Sequence, residues 1–146
     1  MSMLTGALFA LAMAATRTPV VTPPASVQEC LAPVLAAYAD VVRKGEGVAT
    51  EEALGKAVLG ILRDKSDVGD EALAVLLGLY VGDHNAEGIV CELINRGRPV
   101  LGYLAKYQSA QVKMPLVSAP MPEAVKALYS EVISRIRSGE TCVQEE

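Results

Sequence analysis

His84 is the one histidine in the chain, and it stands in Asp83-His84-Asn85-Ala86-Glu87 with two carboxylates close by. With Glu92 a little further on, these are the groups from which an acid–base pair or a metal site would be built. The paired cysteines and the His-Glu-x-x-His spacing of zinc sites are missing, however. Acids in a polar turn are also what a helix start looks like, because the positive end of the helix dipole favours negative charge. The sequence offers no Gly-x-Ser-x-Gly elbow for a serine nucleophile. Gly45-Glu46-Gly47 lacks the Lys-Ser/Thr ending of a phosphate loop. The expectation is therefore a protein that is not an enzyme, with no catalytic residue, metal or cofactor assigned. A small metal-assisted or acid–base enzyme using Asp83, His84 and Glu87 is kept as an alternative.

Cys30, Cys91 and Cys142 are the remaining reactive groups. In an oxidising compartment two of three cysteines pair and one is left over. Cys30 begins the first helix pattern and Cys142 follows the last. In an up-and-down bundle with an even number of helices those two ends lie at one pole, so the expected bridge is Cys30–Cys142. Closing a loop of roughly a hundred residues would contribute about 4–5 kcal/mol on the chain-entropy model. Cys91, beside an apolar stripe, is expected to be a buried small hydrophobe.

Two further sets of residues are candidates for an interaction surface. Arg96 and Arg98 flank Gly97 and are expected to meet solvent and the C-terminal carbonyls of the fourth helix, or an anionic partner patch. In the Gln111–Pro122 loop, Met114, Leu116, Val117 and Met121 are apolar residues among prolines, suited to docking or to capping the core.

Six helices must position these groups, and no segment reads as a strand. The first runs from about Ser26, a good N-cap, to Lys44, with Pro33 marking a kink or a late start. The second follows a Thr50 cap, with Leu54, Ala57, Val58, Ile61 and Leu62 in one stripe and its charges matching the dipole. A third, from about Asp70 to Val81, is apolar nearly all round and should be central and buried. The fourth carries Ile89, Val90, Leu93 and Ile94. Pro99 opens the fifth, and Pro122-Glu123 opens the sixth. The fold class is all-α, a compact bundle of five or six antiparallel helices. A short αα-hairpin or HEAT-like stack is the alternative, although the hairpins show no convincing self-similarity.

Residues 1–15 read as a secretory signal, since Ala7 to Ala15 has no polar side chain, is too short to span a bilayer and ends in small residues. Residues 16–25 read as a Pro/Thr-rich linker, and residues 26–146 as a single helical domain. Apolar residues make up 51% of the chain and charged residues 21%, an ordinary balance for a globular domain. The formal charge of −4 argues against bulk electrostatic binding to nucleic acid. No segment after the leader has the uninterrupted apolar length of a membrane span. The resulting expectation is a periplasmic or secreted helical protein that binds another protein, as inhibitors, immunity proteins and envelope accessory proteins do. A structural envelope component is the remaining alternative.

Overall fold

The apolar patterns form an all-α bundle in the computed structural model, which describes residues 19–45, 47–79, 83–114 and 123–143. The helices are α1 (Ala25–Lys44), α2 (Val48–Arg63), α3 (Asp67–Leu79), α4 (Asp83–Arg96), α5 (Leu101–Gln108) and α6 (Glu123–Arg137). Helix α1 starts one residue before Ser26, and the Pro24 carbonyl accepts the amides of Val27 and Gln28. It continues through Pro33, which lies on the exposed side. Thr50 contributes to the start of α2 from inside the first turn, where its hydroxyl accepts the Gly47 N–H at 3.1 Å. Pro99 sits in a short 3₁₀ turn, Arg98–Val100, that leads into α5.

Helix α3 organises the domain. Every residue from Gly69 to Leu77 is buried, and α3 packs against all five other helices. A repeat stack would confine each unit to its neighbours. A helix that touches every other one defines a bundle instead, as its nearly continuous apolar surface implies. Its partners contribute Leu31 and Val34 from α1, Leu54, Val58 and Ile61 from α2, and Ile89, Leu93 and Ile94 from α4. Leu104 and Tyr107 come from α5, and Tyr129, Val132 and Ile136 from α6.

The turn into α3 admits only a small residue. The Asp64 carboxylate accepts the amide of Ser66, and the Ser66 carbonyl accepts the amide of Asp70. Gly69 lies directly over this turn. A Cβ there would stand 2.8 Å from the Asp64 carboxyl carbon and collide with the Asp64 carbonyl oxygen. Gly69→Ala is expected to destabilise the domain by about 1–3 kcal/mol, the range for overpacking a tight site. Urea denaturation checks it, with unchanged m as the sign that only stability has moved.

One element runs against the all-helical reading. Val20–Val21 pairs in parallel with Gln111–Val112, with the Gln111 amide on the Pro19 carbonyl at 2.8 Å and the Lys113 amide on the Val21 carbonyl at 2.9 Å. Pro23 is buried as well. The later part of the Pro/Thr-rich stretch is thus bonded to the domain, and is no free tether. The prolines lose their N–H donors but keep their carbonyls, and one of those carbonyls makes this ladder.

Candidate functional site

A network of linked ion pairs gathers where α2 ends, α3 begins and α4 ends. Arg96 is the hub. Its side chain is 7% exposed and its Nη1 lies 2.7 Å from Oδ1 of Asp70, itself 11% exposed. Arg96 Nε donates to Glu92 Oε1 at 3.1 Å, and Nη2 donates to the Leu62 and Ile61 carbonyls at 2.9 and 3.4 Å. Those carbonyls are at the C-terminus of α2, where helical backbone acceptors lack partners and the dipole favours a cation. Guanidinium suits the place because its planar fork serves several acceptors at once. Arg96 therefore caps α2 rather than its own helix, and as a buried clamp it is not part of an interaction surface. Arg98, two residues on, is exposed.

Two carboxylates around this hub are held below their ordinary range. Burial opposes ionisation of Glu92, but hydrogen bonds from Lys65 and Arg96, with their charges, outweigh it. Hydrogen bonds from the Ser66 hydroxyl and amide lower Asp64, and the charge of Arg96 adds to them. Asp64 also faces Cys30, whose Sγ lies 4.0 Å from Oδ2. Burial, and then the Asp64 charge, push the Cys30 thiol up, which keeps it from ionising.

A second polar cluster reaches from the surface at Lys106 into the core. Glu71 of α3 accepts hydrogen bonds from Tyr107 Oη and from Lys106 Nζ at 2.9 Å. Tyr129 donates its hydroxyl to the Ala74 carbonyl. Burial drives both phenols far above their usual value near 10, and the Glu71 carboxylate adds to the effect at Tyr107. Tyrosines of the unfolded chain ionise near pH 10, whereas the folded chain holds these two neutral. Their contribution is complete below about pH 10 and is lost as pH rises above it. Urea midpoints are expected to hold up to that pH and then fall, and Tyr129→Phe should flatten the alkaline limb.

The disulfide joins Cys91 to Cys142, with Cα atoms 5.2 Å apart, and Cys30 is the free cysteine. This corrects the expected Cys30–Cys142 pairing. The end of α6 directs its tail to α4, and Cys30 faces the Asp64 turn instead. Cys91 is buried as expected, but as a bridge partner.

The other sequence candidates disperse. Met114 is buried in the core, together with Ala110 and Val112, so it is not on a docking surface. Leu116, Val117 and Met121 lie outside the described residues. Asp83 and His84 belong to the first turn of α4, but their side chains are outside the described part of the molecule; Glu87 is exposed. Among the described residues no group of three or more His, Cys, Asp or Glu side chains is placed to hold a metal.

Open grooves also occur among the described residues. One, of about 420 Å³ between α5 and α6, is lined by Ser130, Ser134, Ser138 and Arg137. The hydroxyls of Ser130 and Ser138 already have partners, because Ser130 accepts Gln108 Nε2 at 2.6 Å and Ser138 donates to the Ser134 carbonyl. Another, of about 310 Å³ between α2 and α4, has Leu59 and Leu62 beside the Lys65–Glu92 pair.

Exposed apolar side chains stand apart from both. On α1, Tyr38 and Val42 continue the stripe of Leu31 and Leu35 and are 41% and 70% exposed, while Val41 beside them packs against the core. Val48, at the start of α2, is 76% exposed. Sequence periodicity assigns Tyr38 and Val42 to the core and misses this feature. Helix α1 is also long and apolar enough to cross a membrane by length and composition, yet Val27, Leu31 and Val34 pack it into the bundle.

Fold and site together define a small all-α domain with an internal disulfide and exposed apolar side chains on α1 and α2. Compared with protein-family models, curated proteins and solved structures, the chain matches nothing, so its functional reading rests on its own residues.

Proposed function

We propose that this chain is a small helical protein of the periplasm or extracellular space that acts by binding another protein, in the manner of an inhibitor, immunity or envelope accessory protein. The observation that carries this reading is the exposure of three large apolar side chains, Tyr38 and Val42 on α1 and Val48 at the start of α2. They leave their surface in water, where burial against a partner would be worth about 25 cal/mol per Å². The charged groups of the Arg96 hub already satisfy one another, so they serve the fold. The internal disulfide and the apolar run at Ala7–Ala15 are both compatible with export.

Site-specific photo-crosslinking tests the reading. A crosslinker at position 42 is expected to give one discrete protein adduct in the envelope or medium. The same group at Glu131, exposed on α6, should give none. Adducts of equal yield from both positions, or none from position 42, would overturn the proposal.

A further inference from the structure

Three cysteines allow three pairings, and the fold makes one of them. The selecting feature is the way the C-terminal tail is seated. Helix α6 ends in a left-handed turn at Gly139, φ 75°, where the Gly139 amide bonds the Ile136 carbonyl and the Glu140 amide bonds the Arg135 carbonyl. This is the Schellman pattern, and glycine is the residue that adopts the turn without strain. The Arg135–Glu140 ion pair at 2.6 Å holds the reversed chain. Beyond it, the Asn95 side chain bonds both backbone groups of residue 142. Nδ2 donates to the Cys142 carbonyl at 2.8 Å, and Oδ1 accepts the Cys142 amide at 2.8 Å. Asn95 and Cys91 are four residues apart on α4, so they share one face of the helix.

We infer that Asn95 selects the Cys91–Cys142 pairing by holding the backbone of residue 142 on the face of α4 that carries Cys91. Asn95 is a positioning residue for bond formation, and the tail docks before oxidation. With glutathione disulfide as oxidant, the Cys142 thiolate attacks one glutathione sulfur and releases one glutathione thiol. The Cys91 thiolate then attacks Cys142 sulfur in the mixed disulfide and releases the second. The two protons lost by the cysteines end on the two glutathione thiols, and the two electrons reduce the glutathione disulfide. Cys30, held as a thiol beside Asp64, competes poorly for the mixed disulfide.

The test is reoxidation of the reduced full chain in a glutathione redox buffer, read by non-reducing peptide mapping and by the equilibrium constant for closing the bridge. Wild type is expected to yield Cys91–Cys142 with Cys30 free. Asn95→Ala removes two hydrogen bonds, and its closure constant is expected to fall about tenfold or more. Glutathione-capped Cys142 and pairs containing Cys30 should appear at the same time. Asn95 is exposed, so the helices keep their packing, and the thermal transition of the oxidised variant monitors this. A second measurement needs no disulfide. In Cys91→Ser the amide of residue 142 should exchange slowly with solvent hydrogen, and adding Asn95→Ala should remove that protection. A closure constant within twofold of wild type with an unchanged map would overturn the inference. Equal amide protection with and without Asn95 would overturn it as well.

Discussion

Replacing Arg96 with alanine is expected to destabilise the domain by about 3–5 kcal/mol, the cost of leaving a buried charge without its partner. The lost guanidinium leaves Asp70 facing a largely water-free junction and removes the cap from the Ile61 and Leu62 carbonyls. Because α2, α3 and α4 meet at this one side chain, the damage should not stay local. Arg96→Lys should recover only part of the loss, since an ammonium is a point charge and cannot reproduce the fork. Replacing Asp70 and Arg96 together by apolar residues of similar volume should cost less than either single change. Chemical denaturation of the set checks this. A single variant within about 0.5 kcal/mol of wild type, the range of ordinary surface changes, would show that Arg96 is not the clamp described.

Breaking the disulfide is expected to have an effect of similar size by a different route. The cysteines are 51 residues apart in sequence. For a loop of that size the chain-entropy model gives about 4 kcal/mol, acting through the unfolded chain rather than through lost contacts. Cys91→Ser should show that loss as an upper bound, and the wild-type protein should converge on it under reducing conditions. Cys30→Ala should change stability by about 1 kcal/mol or less, since the residue is half-buried at the margin of the core and its hydrogen-bond contact with Asp64 is long. Denaturation midpoints with and without reductant separate these cases. A large loss from Cys30→Ala with none from Cys91→Ser would restore the pairing expected from sequence.

Helix order, the central place of α3 and the helical class could be read from the sequence because they follow from local periodicity. Leu73, Val75, Leu76 and Leu77 leave no polar side for water, and a helix of that kind has only the middle of a bundle to occupy. The pairing of Val20–Val21 with Gln111–Val112 was less accessible, since two-residue strands far apart in sequence have no period of their own. Even so, Ala110-Gln111-Val112-Lys113-Met114 alternates apolar and polar residues, and that alternation places Met114 in the core rather than on a docking loop. The cysteine pairing was not legible. It depends on where the tail crosses α4 after Gly139, which the count of helices does not determine. Glu71 stands out in the sequence only as an acid inside an apolar run. Its partners Lys106 and Tyr107 lie on a different helix, and only the tertiary fold brings them to it.

The candidate docking surface was hidden for a related reason. Tyr38 and Val42 have core-like spacing, and nothing local separates them from Val41, which packs against the core. Their exposure sets them apart from core positions, and on the proposed function it is the surface that a partner covers. The measurement that tests this most directly compares wild type and Val42→Asp isolated from the envelope or medium. Val42 is solvent-exposed, so the variant should keep its thermal transition and lose only about 0.5 kcal/mol or less. Wild type is expected to come away with a stoichiometric protein partner, and Val42→Asp to lose that partner by tenfold or more. Retention of the same partner by both proteins at equal yield, or isolation of wild type alone, would contradict the account.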